Sequence, residues 1–405
     1  MAAHPQTDRP SHVPADLVRP FPFVFGTVTE QDPFNDFVPA VHKEPPVFWA
    51  EHAYPGGSAA WIVRRNEDLK AIYLDTDHFS NKGFSPFGML TGGSWSLVPA
   101  ESDPPQHGLY RILVNPLFTP KALSVLNERI TQYAREYVLA FRDAGRCEFM
   151  TDFAFEFPIK VFLELMGLPL EMTAQFLEWE NGLLHGADLG AIAANARSVV
   201  DYLRGEIEDR KVNPRDDLVS YGVKAEIEGR KLTDDELMGF CFNLFIGGLD
   251  TISTHMGQQF LHLARHPEHQ AALRANPEMI PNAVEEMMRA YAAVTTFRTC
   301  VKPVEVQGVQ MAPGDKIAMS TTLAGRDPEA WERPNEVILD RRPQHVSFAY
   351  GPHLCVGLHL ARREMRTAMA EFLSLIPEFS LEPGAVIRQH LGMIQPVELP
   401  LVWAN

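Results

Sequence analysis

The 405-residue sequence predicts a mainly α-helical chain with small antiparallel β-sheets towards both ends. Three observations carry that prediction. Helical periodicity dominates from Thr119 to about Lys211. A second, strongly apolar helical run spans roughly Asp234 to His266, opened by Thr233 and Glu236 at capping-box spacing. Short alternating apolar stretches lie at 47–50, 60–63, 300–320 and 398–403.

The elements follow in order. Residues 1–45 read as an extended, proline-punctuated arm, and 47–63 as a hairpin turning at Tyr54-Pro55-Gly56-Gly57. Asn66 to Leu74 is a short helix. Residues 83–99 have no clear period and predict a long loop. Phe84, Phe87, Met89, Leu90, Trp95 and Leu97 make that loop too apolar for disorder, so it predicts a pocket wall. A helix over Gly108 to Asn115 stops at Pro116. The helical region that follows is expected to break near Phe157-Pro158 and Gly167-Leu168-Pro169. Residues 222–232 form a turn-rich connection, 300–320 strands with a turn at Ala312-Pro313-Gly314-Asp315, and 326–342 an irregular stretch. No repeat or linker divides the chain, so 1–405 is expected to be a single domain.

Composition narrows the function. Hydrophobic content of 45% with 22% charged residues is ordinary for a globular protein. The net charge of −16 argues against nucleic acid as a partner. There is no uninterrupted apolar run of membrane-spanning length and no signal-peptide pattern, so a cytoplasmic protein without membrane contact is expected. Cys147, Cys241, Cys300 and Cys355 show no paired spacing, and disulfides are not expected.

Cys355 stands out. It lies in Phe348-Ala349-Tyr350-Gly351-Pro352-His353-Leu354-Cys355-Val356-Gly357, directly before a helical run from Leu358. Gly351 and Gly357 allow positive φ or close approach by a flat group, and Pro352 stiffens the turn. Amides and the positive helix end beside the sulfur predict a lowered thiol pKa, which suits metal ligation. Zinc is a competing reading, because His353, Cys355 and His359 are close in sequence, but a fourth ligand is not evident. Inside the long apolar helix, Gly247-Gly248 precedes Asp250-Thr251. Two glycines there cost about 1–2 kcal/mol relative to alanine. They make room either for a ligand or for a neighbouring helix. Glu286 and Arg289 are three apart on one helical face and can pair.

The segment Phe348-x-x-Gly351-x-His353-x-Cys355-x-Gly357 resembles the haem-binding loop of the cytochrome P450 family, and nearly the whole chain, Trp61 to Trp403, shares the likeness. The resemblance implies that family's triangular-prism fold, with haem b between the long central helix and the Cys355 helix. Cys355 would ligate the iron. Asp250 and Thr251 would relay protons to bound dioxygen beside Gly247 and Gly248. His107, Arg111, Arg298 and His353 would hold the propionates. The Glu286–Arg289 pair would be structural, bracing the stretch before the cysteine loop through Arg333 or Arg341. Within the family the likeness points to the bacterial camphor-hydroxylase branch, from which Trp95 and Thr296 depart.

The resemblance implies a soluble, monomeric monooxygenase fed from NAD(P)H through a reductase and a [2Fe–2S] ferredoxin. A peroxide-using hydroxylase and a haem gas sensor are the alternatives. Lys70, Arg111, Arg342, Arg362, Arg363 and Arg366 form either an electrostatic landing for an acidic redox partner or a solvated face. The pocket is expected to be lined by Phe84, Phe87, Trp95, Leu97, Asn243, Ile246, Gly247, Val294 and Ile394, and to take a small terpenoid. Trp95 and Asn243 are its candidate polar anchors; each has a packing or intrahelical alternative.

Overall fold

A computed structural model describes residues 9–184, 188–248 and 250–404. Leu249 and the first eight residues of the N-terminal arm therefore lie outside the described residues. The chain folds as helices around the central run that follows Thr233. That run is helical over Asp234–Gly248 and Asp250–Arg265, and its second part is buried on almost every face. A helix apolar all round is a core helix or a membrane span. By length and composition Asp234–Arg265 could cross a membrane, but 65% of its most apolar window is buried inside this fold. Its N-terminus carries the expected reciprocal cap: Glu236 N–H donates to Thr233 Oγ1 (3.2 Å) and Thr233 N–H to Glu236 Oε2 (2.7 Å).

The hairpin pairs Val47 with Val63 and Ala50 with Ala60. It does not stand alone. Lys316–Ser320 adds to it in parallel, then Thr295–Cys300 and Phe79–Ser80 antiparallel, giving one five-stranded mixed sheet. A second sheet joins Arg146–Glu148 to the C-terminal strands Phe379–Leu381 and Pro400–Trp403. The first of these strands interrupts the long helical region, and the expected break at Phe157-Pro158 is corrected by it. Pro158 instead sits in the first turn of the helix Glu156–Met166, where its missing N–H leaves no bond unmade. That helix ends as expected, at Gly167 with φ +68°.

Before the cysteine loop the chain is irregular from 326 to 350, and two glutamates side by side on the helix Ile280–Ala290 hold it. Glu286 and Arg289 are fully buried and pair through two bonds of 2.8 Å. Arg289 also donates to the carbonyls of Gly325, Pro334 and Glu336. Glu286 further accepts from Ile338 N–H and Arg341 Nε, both at 3.0 Å. The brace runs through Arg341; Arg333 pairs with Glu336 instead. Glu285 points the other way, to Arg362 (2.7 Å), Arg366 (2.9 Å) and His345 (3.3 Å). Its carboxyl is held down at about 2 against the upward push of burial, by hydrogen bonds from His345 and Arg362.

Candidate active site

One cavity of about 670 Å³ lies between the central helix and the helix Leu358–Leu375. Cys355 borders it directly before that helix. The Cys355 N–H donates to the Phe348 carbonyl (2.9 Å), closing the loop. Gly351 takes φ +67°, and a Cβ there would strike Leu74 at 2.8 Å; it shapes the loop without lining the cavity. Gly357 has ordinary φ, and its value is space: a Cβ would stand 4.0 Å from the sulfur. Burial pushes the thiol pKa up, not down as the sequence implies, while the Gly357 amide and Arg111 pull against it. A metal cation at the sulfur would deprotonate it outright.

Beside the cysteine, His107, Arg111, Arg298 and His353 converge on the same cavity. The two imidazole rings are 3.9 Å apart. Asn81 Nδ2 donates to His353 Nδ1 (3.0 Å), which fixes the ring proton on Nε2. That Nε2, and Nε2 of His107, are buried without a hydrogen-bond partner. Burial first, and neighbouring cations second, push His107 down to about 4 and His353 to about 3. Arg298 is buried, stacked 5.2 Å over Tyr73, and bonded to the Phe297 carbonyl. Tyr73 is tied in turn to Thr296 at 2.7 Å. Two buried imidazole nitrogens without a partner, beside two guanidinium groups, fit an anionic ligand. Two carboxylates on a flat macrocycle, ligated by a thiolate, match this donor set.

Opposite, the central helix opens. A Cβ on Gly247 would meet nothing within 4 Å, whereas one on Gly248 would press Phe162 at 3.1 Å. Gly247 thus faces open space, and Gly248 makes room for the neighbouring helix. Thr251 lines the cavity, its hydroxyl leaning towards the Gly247 carbonyl at 3.4 Å. Asp250 turns to the buried side, where Gln395 Nε2 donates to it (2.8 Å) and to Thr254 (2.9 Å). Glu180 is also buried; burial and repulsion from Asp250 push its pKa well up. His255 and Glu364 border the cavity too, each with a buried polar atom lacking a partner. Gln395, Glu180 and His255, the neighbours of the Asp250–Thr251 pair, are not marked by any spacing in the sequence.

Phe84, Phe87, Leu97, Asn243, Ile246 and Val294 line the wall as expected. Two expected residues do not. Trp95 packs on Phe242, with ring centroids 4.8 Å apart. The Ser96 carbonyl occupies the place of a Gly239 Cβ, so this loop lies close against the helix, and the indole edge lies against Gly93. Ile394 is buried in a separate apolar cluster, its carbonyl held by Gln258 at 2.9 Å. The Asn243 side chain is half-buried and makes no hydrogen bond to the described protein. On the outer face, Lys70 pairs with Glu67, Arg111 donates to the Leu354 carbonyl, and Arg363 to the Leu123 carbonyl. Arg342 is exposed.

Residues 187–390 match the family model described as Cytochrome P450. A relative named "Probable cytochrome P450 127A1", from Sinorhizobium fredii, is 36% identical, covering 98% of this chain and 97% of its own. The crystal structure of cytochrome P450 CYP101C1 matches with a TM-score of 0.87 at 32% identity, covering 98% of this chain and 100% of that one. That of CYP101J2 matches with the same TM-score and coverage at 30% identity. The chain belongs to the cytochrome P450 family, a monooxygenase whose cofactor is haem b.

Proposed function

We propose that the whole chain, 1–405, works as one monooxygenase domain that hydroxylates a small, mostly apolar terpenoid carrying one oxygen. The observation behind this reading is that Cys355, Thr251 and a largely apolar wall border the same cavity of about 670 Å³. Haem, when bound, supplies the redox centre that activates dioxygen. Cys355 Sγ would be its ligand, in a loop closed by the Cys355 N–H to the Phe348 carbonyl, with the Gly357 and Leu358 amides directed at the sulfur. His353 Nε2–H, His107, Arg298 and Arg111 would receive the propionates. Gly247 leaves the space above, Thr251 Oγ1 holds and passes a proton, and Asp250 supplies it from its buried side, oriented by Gln395.

Asn243 would orient the substrate. Its amide is a polar group on the apolar wall with no hydrogen bond to the described protein, and a terpenoid oxygen would satisfy it. A skeleton of about ten to thirteen carbons suits such a pocket. Electrons would come from NAD(P)H through a [2Fe–2S] ferredoxin docking near Arg342, Arg362, Arg363 and Arg366. Arg362 and Arg366 share the single carboxylate of Glu285, so positive charge remains on that face. The test is a difference-spectrum screen of small terpenoids for the low-spin to high-spin shift of the haem-loaded protein. A shift with oxygenated bicyclic terpenoids and none with fatty acids supports the reading; the reverse overturns it.

A further inference from the structure

Away from the cavity, the end of the central helix carries a cluster that the monooxygenase reaction does not use. His262 lies in the last turn of Asp250–Arg265, His266 caps the next helix, Pro267–Ala275, and His269 lies in that helix's first turn. At His266 the backbone leaves helical geometry (φ −129°, ψ 74°), which folds the second helix back on the first. One ring nitrogen from each histidine then lies within 4.8 Å of the others. None of the three borders the catalytic cavity. We propose that His262, His266 and His269 bind a zinc ion that staples the central helix to the helix following it.

The chemistry of the donors supports this. The Glu268 carboxylate accepts from His266 Nδ1 at 2.8 Å, which leaves the His266 Nε2 lone pair free. The Tyr291 hydroxyl bonds His262 Nδ1 at 2.8 Å, leaving His262 Nε2 for the cluster. Carboxylate or hydroxyl partners of this kind orient metal-binding imidazoles. His262 Nε2 meets His269 Nδ1 at 2.8 Å, sharing one proton. Tetrahedral zinc with bonds of about 2.0–2.1 Å places ligand nitrogens about 3.3 Å apart, so this contact would open by roughly half an ångström as the metal takes both lone pairs and that proton moves to His269 Nε2. Arg265 and Arg326 face the cluster, but Arg265 is paired with Asp32 (3.1 Å), and Glu268 adds a second negative charge. His266 and His269 are half-buried, so water reaches the fourth position.

The test uses tag-free, haem-loaded protein, stripped with chelator and titrated with zinc by calorimetry and by thermal unfolding. The expected result is one zinc per chain and a rise in melting temperature on binding. Copper in place of zinc should show nitrogen hyperfine structure in its paramagnetic resonance spectrum. His262 is buried, so the variant used is His266→Gln/His269→Gln, which should keep the parent's haem spectrum and take up no zinc. Absence of stoichiometric binding in the parent, or equal uptake by the double variant, overturns the proposal and assigns any zinc to adventitious surface histidines.

Discussion

The two sides of the cavity are assembled differently. The cysteine side comes chiefly from one short stretch, 347–357, with a buried set of polar donors beside it. The opposite wall is gathered from the 84–97 loop, the central helix and residues 294–297 at the start of the Thr295–Cys300 strand, and is mostly apolar. A local loop closed by its own backbone has few ways to adjust, so a change there should act nearly all or none. A wall of separate side chains can repack, so changes there should be graded.

The contrast is tested most sharply at Cys355. Cys355→His should retain some haem, abolish hydroxylation and lose the red-shifted Soret band of the reduced carbon-monoxide complex. An unchanged band would remove Cys355 as the ligand. The support beneath the loop should be almost as intolerant. Glu286→Ala leaves Arg289 buried and unpaired, with an expected loss of about 3–5 kcal/mol in denaturant unfolding. A loss below about 1 kcal/mol would mean that the backbone carbonyls on Arg289 suffice.

Across the cavity the effects should shrink. Thr251→Ala should still consume NADH in the presence of substrate and ferredoxin, with peroxide replacing much of the product. A product yield per NADH equal to the parent's would remove the relay role. Glu285→Gln tests the outer, half-wet ion cluster through pH. Its carboxyl is depressed to about 2 from an ordinary value of 4.5, so its contribution is present above about pH 4.5 and disappears as pH falls towards 2. The variant should therefore be less stable than the parent at neutral pH, with the gap closing over that acid window; a pH-independent gap would contradict the assignment. Asn243→Leu should be the mildest, weakening an oxygenated terpenoid by about 0.5–1.5 kcal/mol in a spectral titration while sparing the parent hydrocarbon. Equal effects on both ligands would make Asn243 lining only.

The same contrast explains what could be read from the sequence. The cysteine loop, the Thr233–Glu236 cap and the short helix Asn66–Leu74 are legible because their causes lie within a few residues. Trp95 is not, because it packs on Phe242, a contact across more than a hundred residues. Nor is Gln395 beside Asp250, or the strand Arg146–Glu148, whose partner strand closes the chain. The three histidines fall between these cases. Their spacing is visible, but it spans two helices, and only the bend at His266 brings them together.

Gly247 and Gly248 are adjacent, yet their absent side chains serve opposite ends. At Gly248 an added methyl would press Phe162, so glycine there belongs to the packing of the fold. At Gly247 nothing would resist it, and alanine would favour the helix by about 1 kcal/mol. The protein forgoes that stability, and what it keeps is empty volume above the cysteine. Position 247 is thus a point where helix stability is given up for open cavity volume, and a chain selected only for heat resistance would drift there towards alanine.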